Sequence, residues 1–255
     1  MSHNLAAACG DLSRESGNHR GVVDNSFLGH VQSGQPAFDR AFGMSNFAYW
    51  AHNPAAGAIH DAAFVQMAQT STAPLLAAYD YSGFATIVDV GGSAGALLAA
   101  ILAAYPRARG ILFDLPHVVA GAAPILDAAG VTARCTTVGG SFFEVVPLGG
   151  DTYILKYILH DWDDERASAI LQRCRAAMEP GATLLLIEHV LPDLLEAGPA
   201  AEWAARLDLE MLVLTPGGRE RTEGEFHALL GDAGFALRRR VPTAAALQIL
   251  EAVAD

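Results

Sequence analysis

Hydrophobic positions follow two different spacings along the chain, and from about residue 85 short apolar runs alternate with longer ones. The short runs are rich in Val, Ile and Leu and are bounded by Gly, Pro or Asp, which is typical of buried strands. They predict strands at residues 86–90, 110–114, 133–138, 151–156, 182–188, 235–240 and 246–253. The longer runs predict helices at residues 94–104, 117–129, 163–178, 202–214 and 223–233.

This alternation of strands and helices indicates an α/β fold. It favours a Rossmann-like, doubly wound, mostly parallel seven-stranded sheet. The run at residues 183–187 carries no charge, as expected for a strand that is buried on both faces. Ligands of such sheets bind beyond the carboxyl ends of the strands, at the switch in strand order, and the functional site is expected there.

The first 80 residues follow a different pattern. Residues 1–26 are polar and aperiodic and predict a flexible arm, whereas residues 27–80 predict a helical lead-in of two or three helices. Residues 81–255 then form the predicted Rossmann-like domain. The lead-in contains large apolar residues whose spacing favours core packing over direct ligand contact: Phe38, Phe42, Phe47, Tyr49, Trp50, Phe64 and Met67.

Composition narrows the choice of partners. The 255 residues are 52% hydrophobic and 17% charged, which suits a domain with a large core. The formal net charge of −12 repels phosphate backbones and anionic lipid, so neither nucleic acid nor a membrane is an expected partner. A neutral or cationic small molecule is expected instead.

The cysteines and the apolar runs predict a location. Cys9, Cys135 and Cys174 are widely spaced and form no CxxC pattern, which favours reduced thiols in an intracellular protein. The N-terminus lacks a basic flank followed by an apolar stretch, and the longest apolar run, at residues 94–105, is too short to span a bilayer. The predicted location is the cytoplasm.

A glycine-rich turn follows the first predicted strand of the domain. The sequence DVGGSAG at residues 89–95 lets the backbone approach a ligand closely at Gly91 and Gly92, although many α/β proteins use such a turn only to reverse the chain. Asp114 ends the next strand, where a carboxylate can accept hydrogen bonds from both ribose hydroxyls. The turn does not read GxGxxG and lacks the Lys-Ser/Thr of a phosphate-binding loop. It therefore favours a nucleoside cofactor without a pyrophosphate.

Seven segments together resemble the S-adenosylmethionine-dependent small-molecule O-methyltransferases, a family with plant caffeate-type and bacterial polyketide-tailoring members. The segments are SGQPAFDRAFG (33–43), DVGGSAG (89–95), LFDLPHVV (112–119), GGSFF (139–143), LKYILHDWDDE (155–165), IEHVLPD (187–193) and GGRERTEGEF (217–226). The resemblance covers most of the chain from about residue 30. It implies the class I methyltransferase fold and a role in secondary metabolite biosynthesis.

The resemblance also implies catalytic roles. His160 matches the general base that takes the proton from the acceptor hydroxyl. Glu188 and Glu220 match the acidic residues that flank and orient its imidazole, and Asp161 is its neighbour in the family motif. The reaction of this family is metal-independent, and the histidines and acids of this chain show no metal-ligand spacing.

The cofactor positions follow from the same match. Gly91 corresponds to the methionine side of S-adenosylmethionine and Asp114 to the ribose contact, and Gly92 is assigned to the cofactor site with them. Leu115 is assigned to the same site. The remaining matched positions are Ser141 and Phe142 near the adenine, and Lys156.

The chemistry supports a histidine base independently. A phenol has a pKa near 10 and a free imidazole a pKa near 6.5, so a positioned histidine can assist deprotonation near neutral pH, with a gain of about 10² to 10⁴. A carboxylate partner would fix its tautomer and support the imidazolium that forms.

Three features depart from the family pattern. Ser93 replaces the middle glycine of the turn, which is expected to lower cofactor affinity, and Ser141 replaces the adenine-side acid of plant members. Against the family pattern, we expect most of the N-terminal dimerisation domain to be missing, so a homodimer is allowed but would lack its usual interface. Two alternatives to methyl transfer therefore stay open. One is a relative with different chemistry, such as hydroxylation, decarboxylation or cyclisation, and the other is a catalytically weak protein that only binds the cofactor.

Overall fold

Residues 35–194 and 196–254 are described by a computed structural model of the chain. These residues belong to two units. The first contains residues 35–67, 161–163 and 196–220, and the second contains residues 68–160, 164–194 and 221–254. The predicted arm at residues 1–26 and Cys9 lie outside the described residues.

Helices and strands alternate along most of the described chain. The helices are α1 (Ala37–Phe42), α2 (Asn46–His52), α3 (Pro54–Ala78), α4 (Ala96–Ala104), α5 (Pro116–Val119), α6 (Ala123–Ala128), α7 (Asp164–Ala177), α8 (Pro199–Leu214) and α9 (Glu223–Asp232). The strands are β1 (Thr86–Val90), β2 (Arg109–Asp114), β3 (Cys135–Gly139), β4 (Thr152–Lys156), β5 (Thr183–Glu188), β6 (Val190–Leu191), β7 (Arg221–Thr222), β8 (Phe235–Pro242) and β9 (Gln248–Ala254). Two 3₁₀ turns cover Thr132–Arg134 and Leu159–Asp161.

The second unit is built on a seven-stranded sheet with the order β3-β2-β1-β4-β5-β9-β8. Five strands run parallel, from β3 through β1 to β5, and β9 pairs antiparallel with both β5 and β8. The predicted seven-stranded, mostly parallel α/β fold is therefore confirmed. The strand order reverses between β1 and β4, which places the expected ligand site beyond the carboxyl ends of these strands.

The central strands are apolar because both of their faces are covered. Four of the five residues of β1 and of β4 are buried, as are five of the six residues of β5. Helix α4 adds Leu98, Ile101 and Leu102, all with 0% exposure, to the core that also contains Ile87 and Ile154. Burial on both faces explains why these strands read as continuous apolar runs rather than as alternating ones.

The prediction of one helix at residues 117–129 is wrong, since the structure has the two short helices α5 and α6 there. Pro124 lies in the first turn of α6. Its ring would collide with the carbonyl group of Ala120 in a continuous helix, and it has no N–H to donate. The short strands β6 and β7, which pair in parallel, were not predicted because two-residue strands leave no periodic signal.

The described part of the first unit is helical. The rings of Phe38, Phe42 and Tyr49 contact one another, with centroid distances of 4.5, 4.8 and 5.5 Å, which fits the core-packing interpretation of these aromatics. Helix α1 also contacts α8 within this unit. Ser45 caps α2 by accepting a hydrogen bond from the Ala48 N–H at 3.3 Å.

The described residues contain two free thiols and no membrane-spanning helix. Within residues 35–194 and 196–254, no helix has the length and apolar character needed to cross a bilayer. Cys135 and Cys174 are both free thiols in these residues, and burial raises the pKa of Cys174 to about 12. A thiol with that pKa is not a nucleophile near neutral pH.

Candidate active site

The glycine-rich turn after β1 is attached to the end of β2. The N–H groups of Gly91 and Gly92 both donate to the Phe113 carbonyl oxygen, at 2.8 and 3.2 Å. Gly91 has a φ of 70° and Gly95 a φ of 83°, and glycine adopts this left-handed region without a Cβ clash. Ser93 has a φ of 54°, so this position keeps a glycine-like backbone although its residue departs from the family pattern.

Asp114, at the carboxyl end of β2, faces this turn. Its two carboxylate oxygens accept hydrogen bonds from the N–H groups of Ser93 and Leu115, at 2.8 and 2.6 Å. Burial raises the pKa of Asp114, and the two N–H groups oppose that rise. An ionised carboxylate can accept about four hydrogen bonds, so acceptor capacity remains for two hydroxyl groups of a ligand.

Two apolar side chains lie against the backbone at Gly91. A Cβ at Gly91 would collide with Ile158 Cδ1 and lie 3.6 Å from Phe142 Cε1, so a side chain there would force Ile158 to move. Phe142 is held edge-on against Phe143, with ring centroids 4.9 Å apart. The structure therefore brings Gly91, Phe142 and Asp114 to one edge of the sheet. The Gly140 N–H donates to the Asp114 carbonyl oxygen at 3.0 Å, which fixes the loop that carries Phe142.

A buried carboxyl group lies beneath the turn, and the half-buried Lys156 interacts with it electrostatically. A Cβ at Gly92 would lie 2.7 Å from Asp89 Oδ2, and Asp89 is only 2% exposed. Burial raises the pKa of Asp89 to about 7, while the charge of Lys156 opposes this rise. Burial lowers the pKa of Lys156, and Asp89 and Glu188 counteract that effect. Lys156, at the end of β4, thus interacts electrostatically with Asp89 of β1 and Glu188 of β5.

His160 lies on the tight turn that follows β4. The turn begins at Tyr157, which has a φ of 57°, a conformation that non-glycine residues seldom adopt. Glu188, at the end of β5, accepts hydrogen bonds through Oε1 from the N–H groups of Ile158 and Leu159, at 3.0 and 2.9 Å. The ring of Tyr157 stacks on the His160 imidazole with centroids 5.4 Å apart. His160 is 8% exposed, so its imidazole is nearly desolvated.

The other two predicted catalytic residues belong to the first unit. Asp161 is the last residue of the 3₁₀ turn that contains His160. Glu220 is 2% exposed, and its backbone N–H donates to Asp208 Oδ1 at 2.9 Å. Their roles beside the imidazole stay predictions. Leu115, predicted at the cofactor site, is 44% exposed next to Asp114, and Ser141 lies in the same loop as Phe142.

Sequence reasoning missed three residues that shape this site. Ile158 closes the space at Gly91, Asp89 underlies Gly92, and Arg221 binds the turn that carries His160. Asp89 could have been found, because it is a charged residue inside an otherwise apolar strand. Arg221 carried no such signal, because exposed arginines are common in loops and its burial depends on distant parts of the chain.

Comparison with known proteins assigns the family. The family model described as "O-methyltransferase domain" matches residues 26–236. The chain is 47% identical over 225 residues to phenazine O-methyltransferase PhzM of Lysobacter antibioticus, covering 88% of this chain and 64% of that protein. It is 43% identical over 211 residues to O-demethylpuromycin-O-methyltransferase of Streptomyces alboniger, covering 82% and 56%.

The chain belongs to the O-methyltransferase domain family. Its fold also resembles the crystal structure of the O-methyltransferase NcsB1 from neocarzinostatin biosynthesis, with a TM-score of 0.83 and 32% identity over 93% of this chain and 70% of that one. That structure holds S-adenosylmethionine and 2-hydroxy-5-methyl naphthoic acid. The chain spans less than two thirds of the length of the two curated relatives.

The candidate site is made of a glycine turn, carboxylates at strand ends and a buried histidine. In residues 35–194 and 196–254, no group of three or more His, Cys, Asp or Glu side chains is placed to hold a metal ion. The glycine turn with Asp114 suits a nucleoside, and His160 suits proton transfer.

Proposed function

We propose that this O-methyltransferase family member transfers a methyl group from S-adenosylmethionine to a hydroxyl group of a small aromatic acceptor, with His160 as the general base. The observation that carries the proposal is the position of His160. It is buried on a turn fixed by Glu188, at the same sheet edge as the glycine turn and Asp114. A parallel sheet presents its ligands at this edge.

The residues at the ends of β1 and β2 fit a nucleoside cofactor. Gly91 provides a backbone surface without a side chain, bordered by Phe142 and Ile158. Asp114 keeps acceptor capacity for ribose hydroxyls, and Leu115 and Phe142 offer apolar surface for a base. Gly92, Ser141 and Lys156 complete the proposed binding residues. When bound, the cofactor supplies an electrophilic methyl group.

His160 performs the proton transfer in this proposal. A free phenol is a weak acid, and a positioned histidine can accept its proton as the oxygen becomes a nucleophile. The low exposure of His160 keeps water away from this exchange. Glu188, Glu220 and Asp161 are proposed to orient the imidazole, and Glu188 also binds the turn that carries it.

The acceptor class is inferred from relatives. One is named for a phenazine, and another was crystallised with a hydroxynaphthoic acid. Both are flat aromatic ring systems. A hydroxylated bicyclic or tricyclic arene made as a secondary metabolite is therefore the proposed substrate, and the assembly of the chain, including a homodimer, is left as a prediction.

The test is methyl transfer to a panel of hydroxylated naphthoic acids and phenazines, with the methylated product detected by mass spectrometry. His160→Ala is expected to lower kcat by about 10²- to 10⁴-fold and to leave cofactor affinity within twofold. His227→Ala, at an exposed histidine of α9, is the matched control and should leave kcat unchanged. Equal kcat values for wild type and His160→Ala would refute the assignment of the base, and cofactor binding without any product would favour the catalytically weak alternative.

A further inference from the structure

Arg221 is buried, yet nothing in the proposed reaction requires a buried arginine. Its side chain is 1% exposed. The guanidinium donates from Nε and Nη2 to Asp164 Oδ1, at 3.0 and 2.8 Å, and from Nη1 to the Leu159 carbonyl oxygen, at 2.7 Å. Leu159 directly precedes His160. Arg221 therefore connects the turn that carries the proposed base to the first residue of α7.

The same peptide segment is held from its other side by Glu188. The Leu159 N–H donates to Glu188 Oε1 at 2.9 Å, while the Leu159 carbonyl group accepts from Arg221. Both polar groups of this residue are thus bound by charged side chains, and charged partners make the stronger hydrogen bonds. The left-handed conformation of Tyr157 at the start of the turn is one that persists only where the surroundings impose it.

Arg221 is itself fixed by the chain that follows Glu188. Strand β6 begins two residues after Glu188, and Val190 pairs with Arg221 in the β6–β7 ladder. Thr222 then starts α9 with a capping box, in which its side chain and that of Glu225 each accept from the other's backbone N–H. Residues 188–191 therefore form one continuous segment that both contains Glu188 and positions Arg221, the two residues that hold Leu159.

We infer that Arg221 is a positioning residue for His160, which it holds through the Leu159 carbonyl group. The expected effect on kcat rests on the proposed function, whereas the expected effect on the orientation of the imidazole does not. Loss of the guanidinium would free the carbonyl side of the turn while leaving Glu188 on the amide side. The imidazole would then sample several orientations, although the cofactor-binding turn at Gly91 would be unaffected.

The variants are chosen to separate positioning from folding. Arg221→Met keeps the length of the side chain but removes all its donors, and Arg221→Lys restores a charge that can reach one partner. Asp164→Asn weakens the ion pair at a side chain that is 59% exposed, so it serves where Arg221→Met is too unstable to study. Arg240→Met is the matched control, since Arg240 pairs with Glu223 at the surface, 3.2 Å away.

The decisive readout is the imidazole signal of His160 in an NMR spectrum of histidine-labelled protein, assigned by its absence in His160→Ala. It is recorded without cofactor or acceptor, below the unfolding temperature of every variant. In Arg221→Met we expect this signal to move or broaden beyond the spread seen with Arg240→Met, and Arg221→Lys to lie between Arg221→Met and wild type. Where wild type turns over, kcat should fall about 10- to 100-fold, with cofactor affinity within twofold.

Two results would overturn the inference. One is a His160 signal that stays within the spread of Arg240→Met in Arg221→Met, or in both Arg221→Lys and Asp164→Asn where Arg221→Met is too unstable to study, together with a lowered unfolding temperature. This would mean that Arg221 only stabilises the fold. The other is an equal loss of cofactor affinity and kcat. If wild type makes no methylated product, the proposed function fails, but the NMR comparison still decides whether Arg221 positions His160.

Discussion

Replacing Gly92 by alanine places a methyl group where the structure has no room for one. The added Cβ would lie 2.5 Å from Leu112 Cδ1, 2.6 Å from Asp89 Cγ and 2.7 Å from Asp89 Oδ2. Leu112 is fully buried and Asp89 is 2% exposed, so neither side chain can turn outward to solvent. Gly92 has no positive φ, and the effect of the substitution is therefore one of space and not of backbone strain.

Overpacking of this kind costs about 1–3 kcal/mol. For a chain of this size, that predicts a fall in the midpoint of thermal unfolding of roughly 2–12 °C. Circular dichroism would measure it for Gly92→Ala and for Gly231→Ala. Gly231 lies in α9 with nothing within 4 Å of an added Cβ, so its substitution should instead raise stability by about 0.4–1 kcal/mol. Similar midpoints for the two variants would refute the reasoning.

Two further predictions concern charged groups near the sheet. Because burial raises the pKa of Asp89 to about 7, from 3.8, its ionisation makes the folded state less stable as pH rises from about 4 to 7. Asp89→Asn should remove this loss. Its free energy of unfolding should exceed that of wild type by up to about 4 kcal/mol at pH 8 but by little at pH 4, as measured by urea unfolding at both pH values. A gain independent of pH would contradict it. Arg134 donates to the carbonyl groups of Leu102 and Ala108, both at 2.7 Å. Arg134→Met should therefore lower the free energy of unfolding by about 2–3 kcal/mol. An unchanged midpoint of urea unfolding would contradict the role of these hydrogen bonds.

The sheet could be predicted because strands that are buried on both faces consist of consecutive apolar residues. Strand β5 is a run of apolar residues that ends in Glu188, and β1 ends in the glycine turn, so the order of elements and the edge that carries the site were readable. The prediction of one continuous helix at residues 117–129 was wrong because of a single residue. Apolar periodicity continues through Pro124, but this residue has no N–H to donate and lies in the first turn of a new helix.

The hydrogen bonds that hold the site together could not be predicted from the sequence. Glu188 and His160 could be matched by their family segments, but the binding of the Ile158 and Leu159 N–H groups by Glu188 depends on the pairing of β4 with β5. Arg221 reaches Leu159 from 62 residues further along the chain. Hydrogen bonds between residues so distant leave no spacing that a local pattern can reveal, because they depend on tertiary structure.

The central claim is that this chain binds S-adenosylmethionine at the ends of β1 and β2 and uses His160 for chemistry. Calorimetric titration with S-adenosylmethionine tests it most directly, using wild type, His160→Ala and Asp114→Ala, each first shown to be folded by circular dichroism. We predict that wild type and His160→Ala bind with equal affinity. Asp114→Ala should bind at least about tenfold more weakly, since it loses hydrogen bonds to a charged acceptor. No binding by wild type at saturating cofactor, or undiminished binding by Asp114→Ala, would contradict the account.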